Sequence, residues 1–354
     1  MKYKMERHLI SDRATVIEAL EKLNKLSGGR MTLIVTDADG RMCGTLTDGD
    51  VRRAFLRGVA LDDSVEVAMN RHYSALQAGE DMVEPLRGMR IRGLRLVPVL
   101  DEEGRVVRII DTHVTRTILP VRAILMAGGK GERLRPLTLS VPKPLLQIGD
   151  RPIIDHNIDA LASVGVSDVT VTVNYLAEKL EEHFAVPVSG IDVKCVRETM
   201  SLGTIGSVSL CDIPQEGDTI VMNSDLLTSI SFEDMYFHHK SEKADITIAA
   251  TPYNVSVPYA ILSTEGTMVR SLEEKPSYSF YANAGIYMIS NRLLRSVPAG
   301  VRTDATDLIE SAIASGMRVT YFPINGTWID IGSPADYAHA RELMRQVTDF
   351  PSHP

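Results

Sequence analysis

The side chains best able to do chemistry are concentrated in Ala127-Gly-Gly-Lys-Gly-Glu-Arg-Leu-Arg-Pro136 and Pro142-Lys-Pro144. Gly128, Gly129 and Gly131 allow close backbone approach and positive φ, so successive N–H groups can converge on phosphate oxygens. Lys130 and Arg133 add charge, and Lys143 sits in a stiff extended segment between two prolines. The spacing is not that of a G-x-x-x-x-G-K-[ST] loop, and Leu134 stands where a dinucleotide fingerprint needs its third glycine. No Ser–His or Cys–His constellation accompanies the loop, and His113, His238 and His239 read as ordinary histidines.

These residues need elements to carry them. Residues 121–126, 169–173 and 219–222 are apolar, β-rich runs, and helical patterns cover 153–164 and 176–184. Such alternation predicts an α/β layer with a largely parallel central sheet, whose ligands lie at the carboxyl ends of strands. The glycine loop follows the first run, and Asp225 follows the run 219–222.

The length of 354 residues implies two domains or three, at about 100–200 residues each. The balance of 44% hydrophobic and 24% charged residues is that of a soluble globular chain. A net charge of −8 argues against a nucleic-acid partner, and its distribution is uneven. Residues 1–120 carry 19 Lys and Arg against 18 Asp and Glu, whereas 121–354 carry 19 against 28. Phosphate in the acidic part must therefore be met by a few placed cations or by a metal ion. Cys43, Cys195 and Cys211 show no metal-like spacing and read as reduced thiols of a cytoplasmic protein. The charged N-terminus lacks a signal-peptide core, and no apolar stretch approaches the ~18 residues of a membrane span, so no membrane partner is expected.

Residues 31–53 resemble residues 95–117 at an offset of 64: an apolar run, an acidic turn closed by Gly40 or Gly104, then a second strand. Gly44-Thr-Leu-Thr-Asp-Gly-Asp50 resembles the G-h-h-T-x-x-D signature of CBS domains, paired modules that commonly bind adenosine nucleotides. The resemblance implies a ligand held by Thr47, at the ribose or phosphate, and by Asp50, at the ribose hydroxyls. The second copy reads Arg108-Ile-Ile-Asp-Thr-His-Val114, without the glycine and with Val114 in place of Asp50, so one site is expected rather than two. A dimerisation or spacer module is the alternative. With a boundary at Pro120, residues 1–120 form a tandem CBS (α+β) pair and residues 121–354 a second domain.

The string GGKGERLRPLTLSVPKPLLQIGDRPII, residues 128–154, is similar to the GGxGxRLxPLTxxxPKPLLxIxxxPxI signature of sugar-1-phosphate nucleotidyltransferases. That family implies a Rossmann-like, GT-A-like α/β fold with a mixed, mostly parallel sheet. Arg197-Glu-Thr-Met-Ser-Leu-Gly-Thr204 resembles its E-x-x-x-LGT nucleobase element. The likeness implies nucleotide contacts from Leu125, Ala127, Gly128, Gly129, Gly131, Glu198, Gly203, Thr204 and Asn223. It implies sugar-phosphate contacts from Glu274 and Lys275, in an EKP station, and from Asn283 and Gly285, in an N-A-G-h-Y station. Asp225, and Asp330 in the W-x-DIG element, would hold Mg²⁺ together with phosphate oxygens and waters. Catalysis would fall to Arg133, Lys143 and Asp225.

The implied reaction transfers a nucleotidyl group from an NTP to a sugar 1-phosphate and releases pyrophosphate. A glutamate at position 198 suits guanine, whose N1–H and N2–H₂ present two donors side by side. With the CBS pair ahead of it, the chain resembles the CBS-bearing guanylyltransferases of bacterial surface-sugar pathways, including the glucosamine-1-phosphate branch of legionaminic acid synthesis. GTP is thus the first donor, with UTP and dTTP as alternatives; the sugar could be glucosamine, mannose, a heptose or an N-acetylated amino sugar. A non-catalytic nucleotide or NDP-sugar sensor is the reading from another class. The expected partners are the NTP, the sugar 1-phosphate, a regulatory nucleotide at the CBS pair and further copies of the chain in a homo-oligomer.

Overall fold

The computed structural model describes residues 5–26 and 30–349. The chain divides into two compact units, Met1–Leu119 with Ser163–Gly165 and Pro120–Ala162 with Val166–Pro354. In the first, β1 (Leu9–Ser11), α1 (Val16–Lys25), β2 (Thr32–Thr36), β3 (Met42–Thr47) and α2 (Asp48–Leu56) precede β4 (Leu76–Gln77), α3 (Val83–Ile91), β5 (Leu96–Leu100) and β6 (Val106–Asp111). Each half builds one three-stranded sheet, β1-β2-β3 or β4-β5-β6, with a parallel pair and then an antiparallel one. The helical spacing in α1 buries Val16, Ala19 and Leu23 against Leu33, Val35 and Leu46. A separate cluster joins the halves, Ile34 and Met42 packing with Leu96, Leu100, Val106 and Ile109. The two glycine turns zip beside it, Met42 N–H donating to the Gly104 carbonyl (3.0 Å) and Val106 N–H to that of Gly40 (3.2 Å).

α2 starts at a reciprocal cap. The Asp50 N–H donates to Thr47 Oγ1 (3.3 Å), and Asp50 Oδ2 accepts from the Thr47 N–H (2.9 Å) and hydroxyl (2.6 Å). Asp50 Oδ1 accepts from Arg53 (2.6 Å). Thr47 and Asp50, expected to face a CBS ligand, thus spend their polar atoms on beginning a helix, which by itself accounts for a Thr and an Asp at this spacing.

The second unit runs β7 (Val121–Ala127), β8 (Gln147–Ile148), β9 (Arg151–Pro152), α4 (Ile153–Ser163), β10 (Val169–Val173), α5 (Ala177–His183), β11 (Lys194–Arg197), β12 (Asp218–Asn223) and β13 (Leu226–Thr228). It continues with α6 (Phe232–Ser241), β14 (Ile246–Ser256), β15 (Ile261–Glu265), β16 (Met268–Glu273), β17 (Ser277–Ser290), α7 (Asn291–Leu294), α8 (Ala305–Ala314), β18 (Val319–Pro323), β19 (Trp328–Asp330) and α9 (Pro334–Asp349). Seven strands form one sheet in the order β11-β10-β7-β12-β17-β14-β18. β11, β10, β7 and β12 are parallel, β17 is antiparallel to both its neighbours, and β14 and β18 are parallel. The chain leaves β7 for β10 on one side and returns through β12 on the other, so strand order reverses at β7 and a ligand crevice is expected beyond its carboxyl end.

Ile124 and Val221 of the sheet pack with Val208, Leu293 and Leu308 in the main core. Buried His239 bonds the Thr247 hydroxyl (2.8 Å) and faces the Asp218 carboxylate (3.4 Å), a structural role far from the glycine loop in sequence. No helix among the described residues is long and apolar enough to cross a membrane. Because α2 depends on its cap, Thr47→Ala should destabilise the protein by about 1 kcal/mol, read as a lower denaturation midpoint with unchanged slope; an unchanged midpoint would show that the cap is dispensable.

Candidate active site

The strand β7 ends at Ala127 and opens into the glycine loop. Positive φ, expected at all three glycines, occurs only at Gly131 (59°), where a Cβ would also lie 3.0 Å from Thr138 and 3.2 Å from Lys143. Gly128 is needed for closeness instead, since a Cβ there would sit 2.9 Å from Glu198 Oε1. Lys143 begins a 3₁₀ turn, Lys143–Leu145, rather than lying in an extended segment; only Pro142 before it is extended. Pro144 and Leu146 are buried beneath that turn, fixing the lysine's stem.

Asp225 follows β12 and Asp330 ends β19. They become neighbours because β13 and β19 pair antiparallel with Leu226 opposite Asp330, and the Ile331 N–H donates to the Asp225 carbonyl (3.2 Å). Lys143 Nζ is ion-paired with Asp225 Oδ2 and lies 3.6 Å from Asp330 Oδ1. The Arg133 guanidinium covers Gly332, where a Cβ would meet Nη2 at 3.0 Å. Burial, then the charge of Asp225, pushes the Asp330 carboxyl above the usual aspartate value, opposed by Lys143 and Arg133. Asp225 Oδ1 is buried and accepts no hydrogen bond. A buried carboxylate oxygen without a donor suits cation ligation, and two carboxylates fit a Mg²⁺ shell completed by phosphate and water. Among the described residues no group of three or more His, Cys, Asp or Glu side chains is arranged to hold a metal by itself.

On the other side of Lys143, Glu198 follows β11 and is held by its own N–H, which donates to the Val173 carbonyl (2.8 Å). Its Oε2 accepts from the Leu202 N–H (3.4 Å). The segment 202–206 then docks on the start of α8. Thr303 N–H donates to Leu202 O (2.9 Å), and the Ile205 and Gly206 N–H groups both donate to Thr303 O (3.1 Å). The Thr204 N–H donates to Asp304 Oδ1 (2.9 Å), and Thr204 Oγ1 accepts from the Ala305 N–H (2.8 Å). The result is a cleft of 350 Å³ lined by Ala127, Gly128, Gly129, Lys143, Glu198, Gly203, Thr204, Asn223 and Asp225. A second cleft of 310 Å³ shares Gly129, Lys143 and Asp225 and adds Gly131, Arg133 and Gly332.

Most of the residues expected at a nucleotide are therefore brought together. Leu125 is not: its side chain is fully buried in the sheet, while Met126 and Ala127 line the cleft. Glu274 and Lys275 are exposed and line neither cleft. Asn283 donates to the Tyr287 hydroxyl (2.9 Å) and accepts from the Gly285 N–H (2.9 Å), and a Cβ on Gly285 would strike Asn223 Nδ2 at 2.5 Å. Ser201, Arg302 and Asp304 line the larger cleft without having been singled out in the sequence. The only signal for the last was a helix-start pattern, Asp304 before the apolar helix with Asp307 three residues on.

Fold and clefts define an α/β protein with a mixed, mostly parallel sheet and an anion-ready loop at the strand-order switch. Residues 122–347 match the nucleotidyl transferase family and residues 8–57 the CBS domain. The chain belongs to the nucleotidyl transferase family. It is 35% identical over 230 residues to "Probable mannose-1-phosphate guanylyltransferase 1" of Oryza sativa subsp. japonica and 33% identical over 230 residues to mannose-1-phosphate guanylyltransferase 1 of Arabidopsis thaliana. Each match covers 61% of this chain and 63% of the relative, so the chain spans less than two thirds of the curated relatives it matches. Among solved structures, HddC from Yersinia pseudotuberculosis shares the fold, with TM-score 0.50 and 23% identity over 63% of this chain and 99% of that one.

Gly203 tests the docked segment. Its φ is 84°, and an added Cβ would lie 2.5 Å from the Thr303 carbonyl. Gly203→Ala should cost more than about 1 kcal/mol of stability, since a left-handed backbone and a backbone clash act together; a variant as stable as the parent would show that this turn relaxes freely.

Proposed function

We propose that the second unit transfers a nucleotidyl group from an NTP, with GTP the first choice, to a sugar 1-phosphate. The observation that carries this reading is the Lys143–Asp225 ion pair, whose two residues line both the glycine-loop cleft and the Glu198 cleft, with Asp330 Oδ1 3.6 Å from Lys143 Nζ. Family membership and relatives named for mannose-1-phosphate guanylyl transfer support it.

A phosphate oxygen of the sugar 1-phosphate attacks the α-phosphorus, the bond from that phosphorus to the bridging oxygen breaks, and pyrophosphate leaves. The nucleophile is already an anion at neutral pH, so no general base is required. The protein's work is positioning and charge neutralisation. The amides of Gly128, Gly129 and Gly131, with Arg133, hold the β- and γ-phosphates, and Lys143 meets charge at the α-phosphate. Glu198, Gly203 and Thr204 face the base, flanked by Arg302 and Asp304. Lys275 and Glu274 meet the sugar phosphate and a sugar hydroxyl, beside Asn283 and Gly285 on β17. Asp225 and Asp330 would hold Mg²⁺, whose charge would offset that of the phosphates.

Residues 1–120 are read as a tandem CBS pair with a regulatory or oligomerisation role, ahead of a transferase domain of residues 121–354. A nucleotide at Thr47 and Asp50 would compete with the cap and with Arg53. Mannose 1-phosphate is the first sugar to test, after the named relatives; the CBS arrangement favours glucosamine 1-phosphate and a role in surface-glycan or legionaminic acid synthesis. A pyrophosphate-release screen of four NTPs against these sugar phosphates with Mg²⁺ decides donor and acceptor, and silence in every combination would sink the activity.

Arg133→Ala and Asp225→Asn should each lower turnover by about 10²–10³ while leaving the circular dichroism spectrum intact; near-normal turnover in either removes that residue from its role. Glu198 can accept at both oxygens, as the two adjacent donors of guanine require, only as a carboxylate. Burial raises its pKa above the usual glutamate value, outweighing hydrogen bonds from the Leu202 amide and the Thr172 and Ser207 hydroxyls. The KM for GTP should therefore climb, on acidification, at a higher pH than an ordinary glutamate would cause, and Glu198→Gln should flatten that climb. An identical pH profile in the variant would exclude Glu198 from base recognition.

A further inference from the structure

β7, β10 and β11 end level, Val173 pairing with Ala127 on one flank and with Arg197 on the other. The next residues, Gly128, Asn174 and Glu198, therefore stand in a row beyond the carboxyl ends of three neighbouring strands. Asn174 Nδ2 donates to the Glu198 carbonyl (3.3 Å), and a Cβ on Gly128 would lie 3.2 Å from Asn174 Cβ. Tyr175, one residue on, reaches the glycine-loop side: its hydroxyl donates to the Thr138 carbonyl (3.0 Å) and lies 3.4 Å from that of Leu139. The Lys179 ammonium of α5 donates to the Ser140 carbonyl. Three consecutive carbonyls of the segment joining Gly131 to Lys143 are thus met by donors from Tyr175 and α5. Thr138 carries that constraint inward. It is fully buried, its hydroxyl donates to the Gly131 carbonyl (2.8 Å), and it packs with Lys143 where a Cβ on Gly131 would fall. Directly after Tyr175 the backbone turns left-handed at Leu176 (φ 52°), a conformation a leucine holds only where its surroundings over-determine it.

We propose that Asn174 and Tyr175 are a positioning pair for the transfer reaction: Tyr175, through Thr138, sets the Gly131 corner of the glycine loop, and Asn174 sets the backbone that carries Glu198. The inference rests on the function proposed above, in which the first wall holds the departing pyrophosphate and the second holds the base. Neither residue lines either cleft, so both act through the walls and not on a ligand. The α-phosphorus of a nucleoside triphosphate lies between the base and the β-phosphate, so in-line attack needs the two walls held at a fixed spacing. Consecutive residues at one strand end supply that spacing. The hydroxyl of Tyr175, and not its ring, makes the connection to Thr138, so a phenylalanine at this position separates hydrogen bonding from the filling of space.

Calorimetric titration of the full chain with GMP and with inorganic pyrophosphate, each with Mg²⁺, reads the two walls separately, and turnover with the donor and acceptor found by the pyrophosphate-release screen reads their alignment. Tyr175→Phe should bind pyrophosphate about 3–10-fold more weakly, as the loss of one hydrogen bond dictates, and GMP within about twofold of the parent. Its kcat should fall by at least about tenfold, because the loop is misplaced where charge develops. Asn174→Ala should do the converse in binding, weakening GMP about 3–10-fold and leaving pyrophosphate within about twofold. Equal losses for both ligands in Tyr175→Phe would mark a general structural role, and unchanged pyrophosphate binding or unchanged kcat would mark an idle hydroxyl. Each of these overturns the proposal, as does an Asn174→Ala variant that binds GMP normally. A parent that binds both ligands but transfers nothing would defeat the proposed reaction, while the binding comparisons still decide the pair; a parent that binds neither removes both.

Discussion

Two carboxylates held side by side, Asp225 and Asp330, set the problem that the rest of the second unit answers. They meet because β13 and β19 pair across more than a hundred residues of sequence, and their neighbourhood would be strongly repulsive without compensation. Lys143 supplies the nearest positive charge, on a turn anchored by buried Pro144 and Leu146, and Arg133 supplies the next. The loop glycines then bring backbone N–H groups to the same place without adding bulk. Under the proposed function, a domain with a large excess of acid would in this way handle a polyphosphate, because local placement and not net charge would decide what binds.

The Glu198 side of the cleft rests on a different device. Segment 202–206 is fixed by reciprocal hydrogen bonds to 303–305, so the α8 N-terminus and the LGT turn satisfy one another's backbone groups. This leaves Glu198 buried beside Gly128, with one carboxylate edge held by the Leu202 amide. A group so placed is rigid, which under the proposed function would favour discrimination between bases over simple attraction.

Local signals were legible in the sequence. The glycine loop, the strand-end Asp225, the alternating runs around β7, β10 and β12 and the 64-residue repeat all express constraints between residues close in the chain, and the structure follows them. The features that escaped notice depend on contacts between distant segments. Asp304 and Arg302 enter the cleft only because α8 docks on a loop about a hundred residues earlier. Leu125 lies two residues before the cleft-lining Ala127 on the same face of β7, but at that depth in the strand its side chain is fully buried in the sheet. Thr47 and Asp50 show the converse: a helix-capping need and a ligand motif ask for the same residue types at the same spacing.

In the proposed reaction this site works by placement and charge, with no protein nucleophile; neither histidine nor cysteine lines either cleft. The stereochemical course at the α-phosphorus tests this most directly. With a chiral GTPαS diastereomer and a sugar 1-phosphate, a single in-line displacement predicts inversion of configuration in the NDP-sugar. Retention would require two displacements through a covalent nucleotidyl-protein intermediate and would contradict the account.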